Sequence, residues 1–159
     1  MKITILCVGK IKESFYRQAI DEYAKRLGKY CKLEIVEVAD EKTPDKASEV
    51  MESQIKEKEA ERLIDKLKED SYIFTLEIKG KKYTSEAFSE TIEKLTIQGK
   101  SHLTFVIGGS LGLHEKILML SNQPISFSDM TFPHQLMRVI LTEQIYRAFR
   151  IMNNEPYHK

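Results

Sequence analysis

The 159 residues contain two cysteines, Cys7 and Cys31, and these form no Cys-x-x-Cys pair. No structural zinc site and no disulfide framework is expected, and both thiols read as small buried hydrophobes. His102, His114, His134 and His158 share no i,i+3 or i,i+4 spacing and none adjoins a cysteine, so no metal is expected. No apolar run nears the ~18 residues a spanning helix needs, which argues against a membrane partner. The opening Met1–Gly9 stretch has too short an apolar part for an export signal and lacks a small-residue cleavage site. A buried first strand and a cytoplasmic location are expected. Repeats, low-complexity segments and Pro/Gly linkers are also missing, so residues 1–159 are expected to form one domain.

Charge of one sign is missing as well: 25 Lys+Arg stand against 24 Asp+Glu, a net +1. The balance hides an uneven distribution. Residues 1–33 carry eight bases and three acids, whereas 34–70 carry seven bases and thirteen acids. Residues 133–159 are again basic, four against two. The acidic stretch reads as a solvated helix.

What is present is an alternation of strand and helix patterns. Lys2–Val8 is apolar and β-branched and ends at Gly9, a strand. Tyr16, Ile20, Tyr23, Leu27 and Tyr30 recur at spacings of four and three, one face of a helix with Ser14 near its start. Lys32–Ala39 alternates, a second strand. A long helix is predicted from Thr43-Pro44-Asp45 to about Glu69, then a strand over Ser71–Ile78 and a basic turn at Lys79–Lys82. Ser85–Leu95 reads as helix, Leu103–Ile107 as a buried strand, Glu115–Leu120 as a short helix and Pro124–Phe127 as a fifth strand. A last helix is predicted from His134 to Met152, behind a loop in which Thr131 sits near the cap. The pattern implies an α/β fold: a mostly parallel five-stranded sheet with helices on both faces.

Three segments can carry chemistry. The apolar strand Leu103–Ile107 runs into Gly108-Gly109-Ser110-Leu111-Gly112. Ligands of α/β sheets sit beyond the carboxyl ends of strands, and paired glycines let backbone approach a ligand. The segment is neither a dinucleotide fingerprint nor a Walker A loop. Ser126–Gln135 also leaves a strand end and offers hydroxyls, amides and two aromatic rings, suited to an adenosine-like group or simply to a strand-to-helix connection. The last helix carries Arg138, Glu143, Arg147 and Arg150 ahead of a ring-bearing tail, Tyr157-His158. Glu143 and Arg147, four apart, suit a same-face ion pair; arginines there can equally hold RNA phosphates.

Together the segments Phe105–Gly112, Met130–Val139, Glu143–Ala148 and Pro156–Lys159 resemble the RlmH-type ribosomal RNA large subunit methyltransferases of the SPOUT group, over the whole chain. The resemblance implies an α/β sheet whose C-terminal part is threaded into a trefoil knot, a rare exception to ordinary topology. It implies a homodimer with the active site near the subunit interface. The implied ligand is S-adenosylmethionine in a bent form, and the implied reaction is methylation of N3 of a pseudouridine in a 23S rRNA stem-loop within assembled ribosomes.

Leu76, Gly108, Gly109 and the run Phe127, Ser128, Asp129, Met130, Thr131 and Phe132 are then expected to form the cofactor site. Methyl transfer from a sulfonium needs a held nucleophile and a deprotonated N3, and it does not require a metal. His158 is the expected base and Tyr157 its partner at the ring, with Arg138, Arg147 and Arg150 on phosphates or a uracil carbonyl. Lys10, Lys12, Arg17, Lys25, Arg26 and Lys29 would extend the RNA footprint. Methylation of tRNA, a non-catalytic ribosome-binding module, and a nucleotide-dependent oxidoreductase or phosphotransferase are the competing readings.

Overall fold

A computed structural model describes residues 1–159. The elements follow the order β1 (Lys2–Val8), α1 (Ser14–Leu27), β2 (Lys32–Val38), α2 (Glu49–Ile64), β3 (Tyr72–Lys82), α3 (Ser85–Ile97), β4 (His102–Ile107), α4 (Glu115–Leu118), β5 (Gln123–Ser126) and α5 (His134–Met152). The five strands form one sheet in the order β2-β1-β4-β3-β5, and every pairing is parallel. The central strands β1 and β4 are buried nearly throughout, as a sheet covered on both faces requires.

Two apolar layers flank the sheet. The larger joins Ile3, Ile5 and Phe105 of the sheet to α1, α3 and α5 through Leu27, Phe88, Ile145 and Phe149. The rings of Phe74 and Phe105, opposite each other on β3 and β4, stack at 4.6 Å. On the other face Leu6, Val8 and Val106 pack against Ala60 and Leu63 of α2 and Ile117 of α4. The rest of α2 is largely solvated, which accounts for the acidic stretch.

Element boundaries differ from the sequence expectation where local chemistry competes. α2 starts at Glu49 rather than near Thr43, because Ser48 supplies the cap, its Oγ accepting the Met51 N–H at 3.3 Å. Pro44 disfavours helical backbone in the residue before it. α2 also stops at Ile64, short of Glu69. Ser14 lies inside α1, not at its cap, and α5 begins behind Pro133 with no side-chain cap from Thr131.

β3 is the larger departure. It does not end at Ile78 in a basic turn but bulges between Leu76 and Lys81 and resumes its pairing with β5. Gly80 makes this possible: a Cβ there would stand 2.5 Å from the carbonyl carbon of Ile125.

Candidate functional site

A cleft of about 970 Å³ opens beyond the carboxyl ends of β3, β4 and β5. One wall is the turn 108–113 that leaves β4. The other is the segment 125–133 between β5 and α5, and the β3 bulge closes a third side with Leu76, Glu77, Ile78 and Lys79. His134 and Met137 of α5, Leu118 of α4 and Lys56 of α2 complete the lining.

The turn is tight: the Gly112 N–H donates to the Gly109 carbonyl at 3.1 Å. A Cβ on Gly108 would stand 2.7 Å from the carbonyl carbon of Gly112 and 2.8 Å from its oxygen, so only glycine fits under that strand of backbone. The Glu59 carboxylate from α2 lies behind the turn and accepts the Glu41 N–H at 3.0 Å. Its burial holds its pKa above the ordinary carboxylate value.

Across the cleft, the Ser126 Oγ donates to the Ser128 carbonyl at 3.1 Å, and the Met130 N–H donates to the Ser128 Oγ at 3.0 Å. These bonds fold the loop so that Phe127, Ser128, Met130, Thr131 and Phe132 line the cleft together with Leu76, Gly108 and Gly109. Asp129 is the one expected cofactor residue outside the lining, and it pairs with Lys82. Apolar walls with a few hydroxyls and main-chain groups suit a nucleoside with an aliphatic extension, and the volume accommodates one. Ile78, Lys79, Leu113, Ile125 and Met137 also line the cleft. No spacing rule pointed to them, because the bulge and the facing loops bring them in from separate segments.

The expectation for Arg138 is corrected. Its side chain is fully buried, with Nη1 donating to Glu37 Oε1 at 2.9 Å and Nη2 donating to the Val8 and Gly9 carbonyls at 2.8 Å each. This guanidinium ties α5 to the ends of β1 and β2 and has no surface to offer an RNA phosphate.

The tail forms a second cluster along α5. Glu143 Oε1 accepts the Tyr157 hydroxyl at 2.9 Å and Arg147 Nε and Nη2 at 3.0 and 2.6 Å. The Arg147 guanidinium lies 4.6 Å from the centre of the Tyr157 ring. Burial, then hydrogen bonding with Tyr23 and Glu143, raises the Tyr157 pKa, so its hydroxyl is a donor at neutral pH. His158 Nε2 stands 2.7 Å from Glu86 Oε1 and its Nδ1 stands 3.2 Å from Arg147 Nη1.

Arg150 pairs with Glu155, which also takes Lys29 and the Tyr30 hydroxyl, so the tail is anchored onto the turn between α1 and β2. Arg147 and Arg150 are thus both ion-paired within the chain. Met137 at the cleft and Arg147 stand ten positions apart on α5, about 15 Å along its axis. The expected cofactor residues other than Asp129 line the cleft, and the expected catalytic residues pack on Glu143 of α5 and Glu86 of α3. Along the basic N-terminal segment, Lys10, Lys12 and Lys25 are exposed, while Arg17 donates to the Ile11 carbonyl and Arg26 pairs with Glu22.

Residues 1–158 match a family model described as "Predicted SPOUT methyltransferase". The chain belongs to the SPOUT methyltransferase family. The SPOUT assignment is matched by relatives of the same length. Proteins of Clostridium botulinum and Enterococcus faecalis, each named ribosomal RNA large subunit methyltransferase H, are 59% and 57% identical over the full length of both chains. A Methanococcus maripaludis protein, 61% identical over the same span, carries that name in provisional form.

Among solved structures, a Haemophilus influenzae chain described as a "probable methylase family protein" superposes with a TM-score of 0.56 at 14% identity. The match covers 99% of this chain and 70% of that one, and it shows the shared fold. No group of three or more His, Cys, Asp or Glu side chains is arranged to hold a metal ion, and no helix is long and apolar enough to cross a membrane.

Proposed function

We propose that this SPOUT protein is an S-adenosylmethionine-dependent methyltransferase that modifies N3 of a pseudouridine in a 23S rRNA stem-loop within assembled ribosomes. The observation that carries the reading is the glycine-walled cleft at the carboxyl ends of β3–β5, in a chain whose relatives are named for large-subunit rRNA methylation. The donor suits the lining: without a Cβ on Gly108 the 112–113 backbone closes onto it and presents a main-chain wall, and Phe127, Phe132 and Ile125 supply apolar walls. When bound it provides a sulfonium methyl group, whose transfer leaves the C–S electron pair on sulfur while the N3 lone pair forms the new bond.

The chain's own residues do the remaining work. Phe127, Ser128, Met130, Thr131 and Phe132 orient the donor and keep water from it. His158 takes the N3 proton, Tyr157 packs at the base, Arg147 keeps its Glu143 partner and turns Nη1–H to a uracil carbonyl, and Arg150 exchanges Glu155 for an RNA group.

The working unit is a homodimer. The exposed apolar Met130 and Ile78 at the cleft rim, 75% and 49% accessible, support it. A second copy would bring a tail to each cleft. The C-terminal threading into a trefoil knot and a cytoplasmic location belong to the same reading.

Labelled S-adenosylmethionine incubated with undermethylated ribosomes, free rRNA or tRNA tests it. Label is expected in 23S rRNA of ribosomes; label in tRNA alone, or in nothing, contradicts the proposal.

A further inference from the structure

Glu86 was not marked by the sequence, standing 72 residues from the tail, yet it makes the closest polar contact of His158. It occupies the first turn of α3, behind the Thr84 cap. Hydrogen bonds from its own backbone N–H, from His158 and from Thr84 hold its carboxyl down at about 2, so it is a carboxylate at any working pH.

A carboxylate only accepts, so the neutral imidazole meets it with Nε2–H, and the lone pair is left on Nδ1. Arg147 Nη1–H donates to that nitrogen at 3.2 Å, a bond that an incoming base must displace, and the guanidinium is itself fixed by two bonds to Glu143. The charged and titratable groups facing the ring are Glu86 from α3 and Arg147 from α5. Glu143 stands behind Arg147, and Tyr157 precedes the ring in the tail.

An acceptor nitrogen beside a cationic N–H donor matches one edge of a uracil-type base, whose N3–H donor is flanked by carbonyl acceptors. A cytosine edge, with a lone pair at N3 and an amino donor beside it, meets the same pair with like against like.

Resting on the methyl-transfer reading above, we propose that Glu86 is a positioning residue. It holds His158 as the Nε2–H tautomer, so that His158 Nδ1 and Arg147 Nη1–H together receive the N3–H and an adjacent carbonyl of the target base. The N3 proton passes to Nδ1, and the resulting imidazolium keeps its Nε2–H on the Glu86 carboxylate.

The test pairs imidazole 15N NMR of the full-length protein with single-turnover methyl transfer to undermethylated ribosomes. Wild type is expected to show His158 protonated at Nε2 and bare at Nδ1. Glu86→Ala is expected to lose the slowly exchanging Nε2–H signal that the carboxylate protects and to slow transfer by about tenfold or more with unchanged donor affinity. Glu86→Gln, whose carbonyl accepts the same N–H, is expected to restore that signal and most of the rate. A Nε2–H signal as protected in Glu86→Ala as in wild type, or a wild-type transfer rate in it, overturns the assignment. Wild-type protein that methylates no RNA overturns the reading on which the proposal rests, and the imidazole measurement then decides the role of Glu86 on its own.

Discussion

Substituting Gly108 by alanine tests the cleft at its tightest point. The added methyl would stand 2.7 Å from the Gly112 carbonyl carbon and 2.8 Å from its oxygen, against an ordinary contact of 3.4 Å or more. The 112–113 backbone must therefore retreat by about 0.7 Å, and it is main chain, which has no rotamer to yield. Overpacking of this kind costs about 1–3 kcal/mol. In a chain of this length that lowers the melting temperature by roughly 2–12 °C.

Gly112 and Leu113 line the cleft, so the same displacement reshapes the donor site. A tenfold loss of S-adenosylmethionine affinity, about 1.4 kcal/mol, is expected by titration calorimetry. Gly99→Ala is the control. Its φ of +80° makes alanine strained, but nothing lies within 4 Å of the added carbon and the site is remote from the cleft. It should lower stability by about 1 kcal/mol and leave donor affinity untouched. Wild-type melting and wild-type affinity in Gly108→Ala would refute the glycine-wall argument.

Three further outcomes follow from the same geometry. Arg138→Met strands the Glu37 carboxylate and two strand-end carbonyls and should cost about 3–5 kcal/mol in urea unfolding; a loss under 1 kcal/mol would remove Arg138 from the fold's framework. Glu59→Gln keeps the acceptor for the Glu41 N–H and removes a carboxylate whose pKa burial raises. Because the folded state holds that proton more tightly, wild-type stability declines as pH rises from the unfolded carboxylate range through the raised folded value. The variant should thus melt higher than wild type at pH 7 and equal to it near pH 4, and a gap unaffected by pH would count against burial as the cause. Tyr157→Phe and His158→Ala should each slow methyl transfer by about tenfold or more while donor affinity holds; normal rates in both would take the tail out of the mechanism.

The strand and helix order was legible because the signals were strong and local. The apolar β1 and β4, the 3.6-residue face of α1 and the Pro133 start of α5 carry their own periodicity. The walls of the cleft were legible too, since Gly108-Gly109 and the 126–132 segment each leave a strand end. What stayed hidden depended on distant partners. The β3 bulge requires Gly80 against Ile125, a β5 residue 45 positions later. Arg138 shares a helix with Arg147 and Arg150 and has the same chemistry, yet its place over the ends of β1 and β2 buries it. Glu86 of α3 and His158 of the C-terminal tail meet 72 positions apart, which no spacing rule reports.

The central claim, that this glycine-walled cleft serves methyl transfer to N3 of a 23S rRNA pseudouridine, is met most directly by locating the methyl group. Ribosomes lacking the modification are incubated with the purified protein and isotopically labelled S-adenosylmethionine, and the 23S rRNA is digested and read by mass spectrometry. One labelled methyl on N3 of a single pseudouridine is the expected result, its initial rate of appearance cut about tenfold or more in Gly108→Ala at limiting donor and in His158→Ala. Label on a different base, on tRNA, or absent from all RNA would contradict the account.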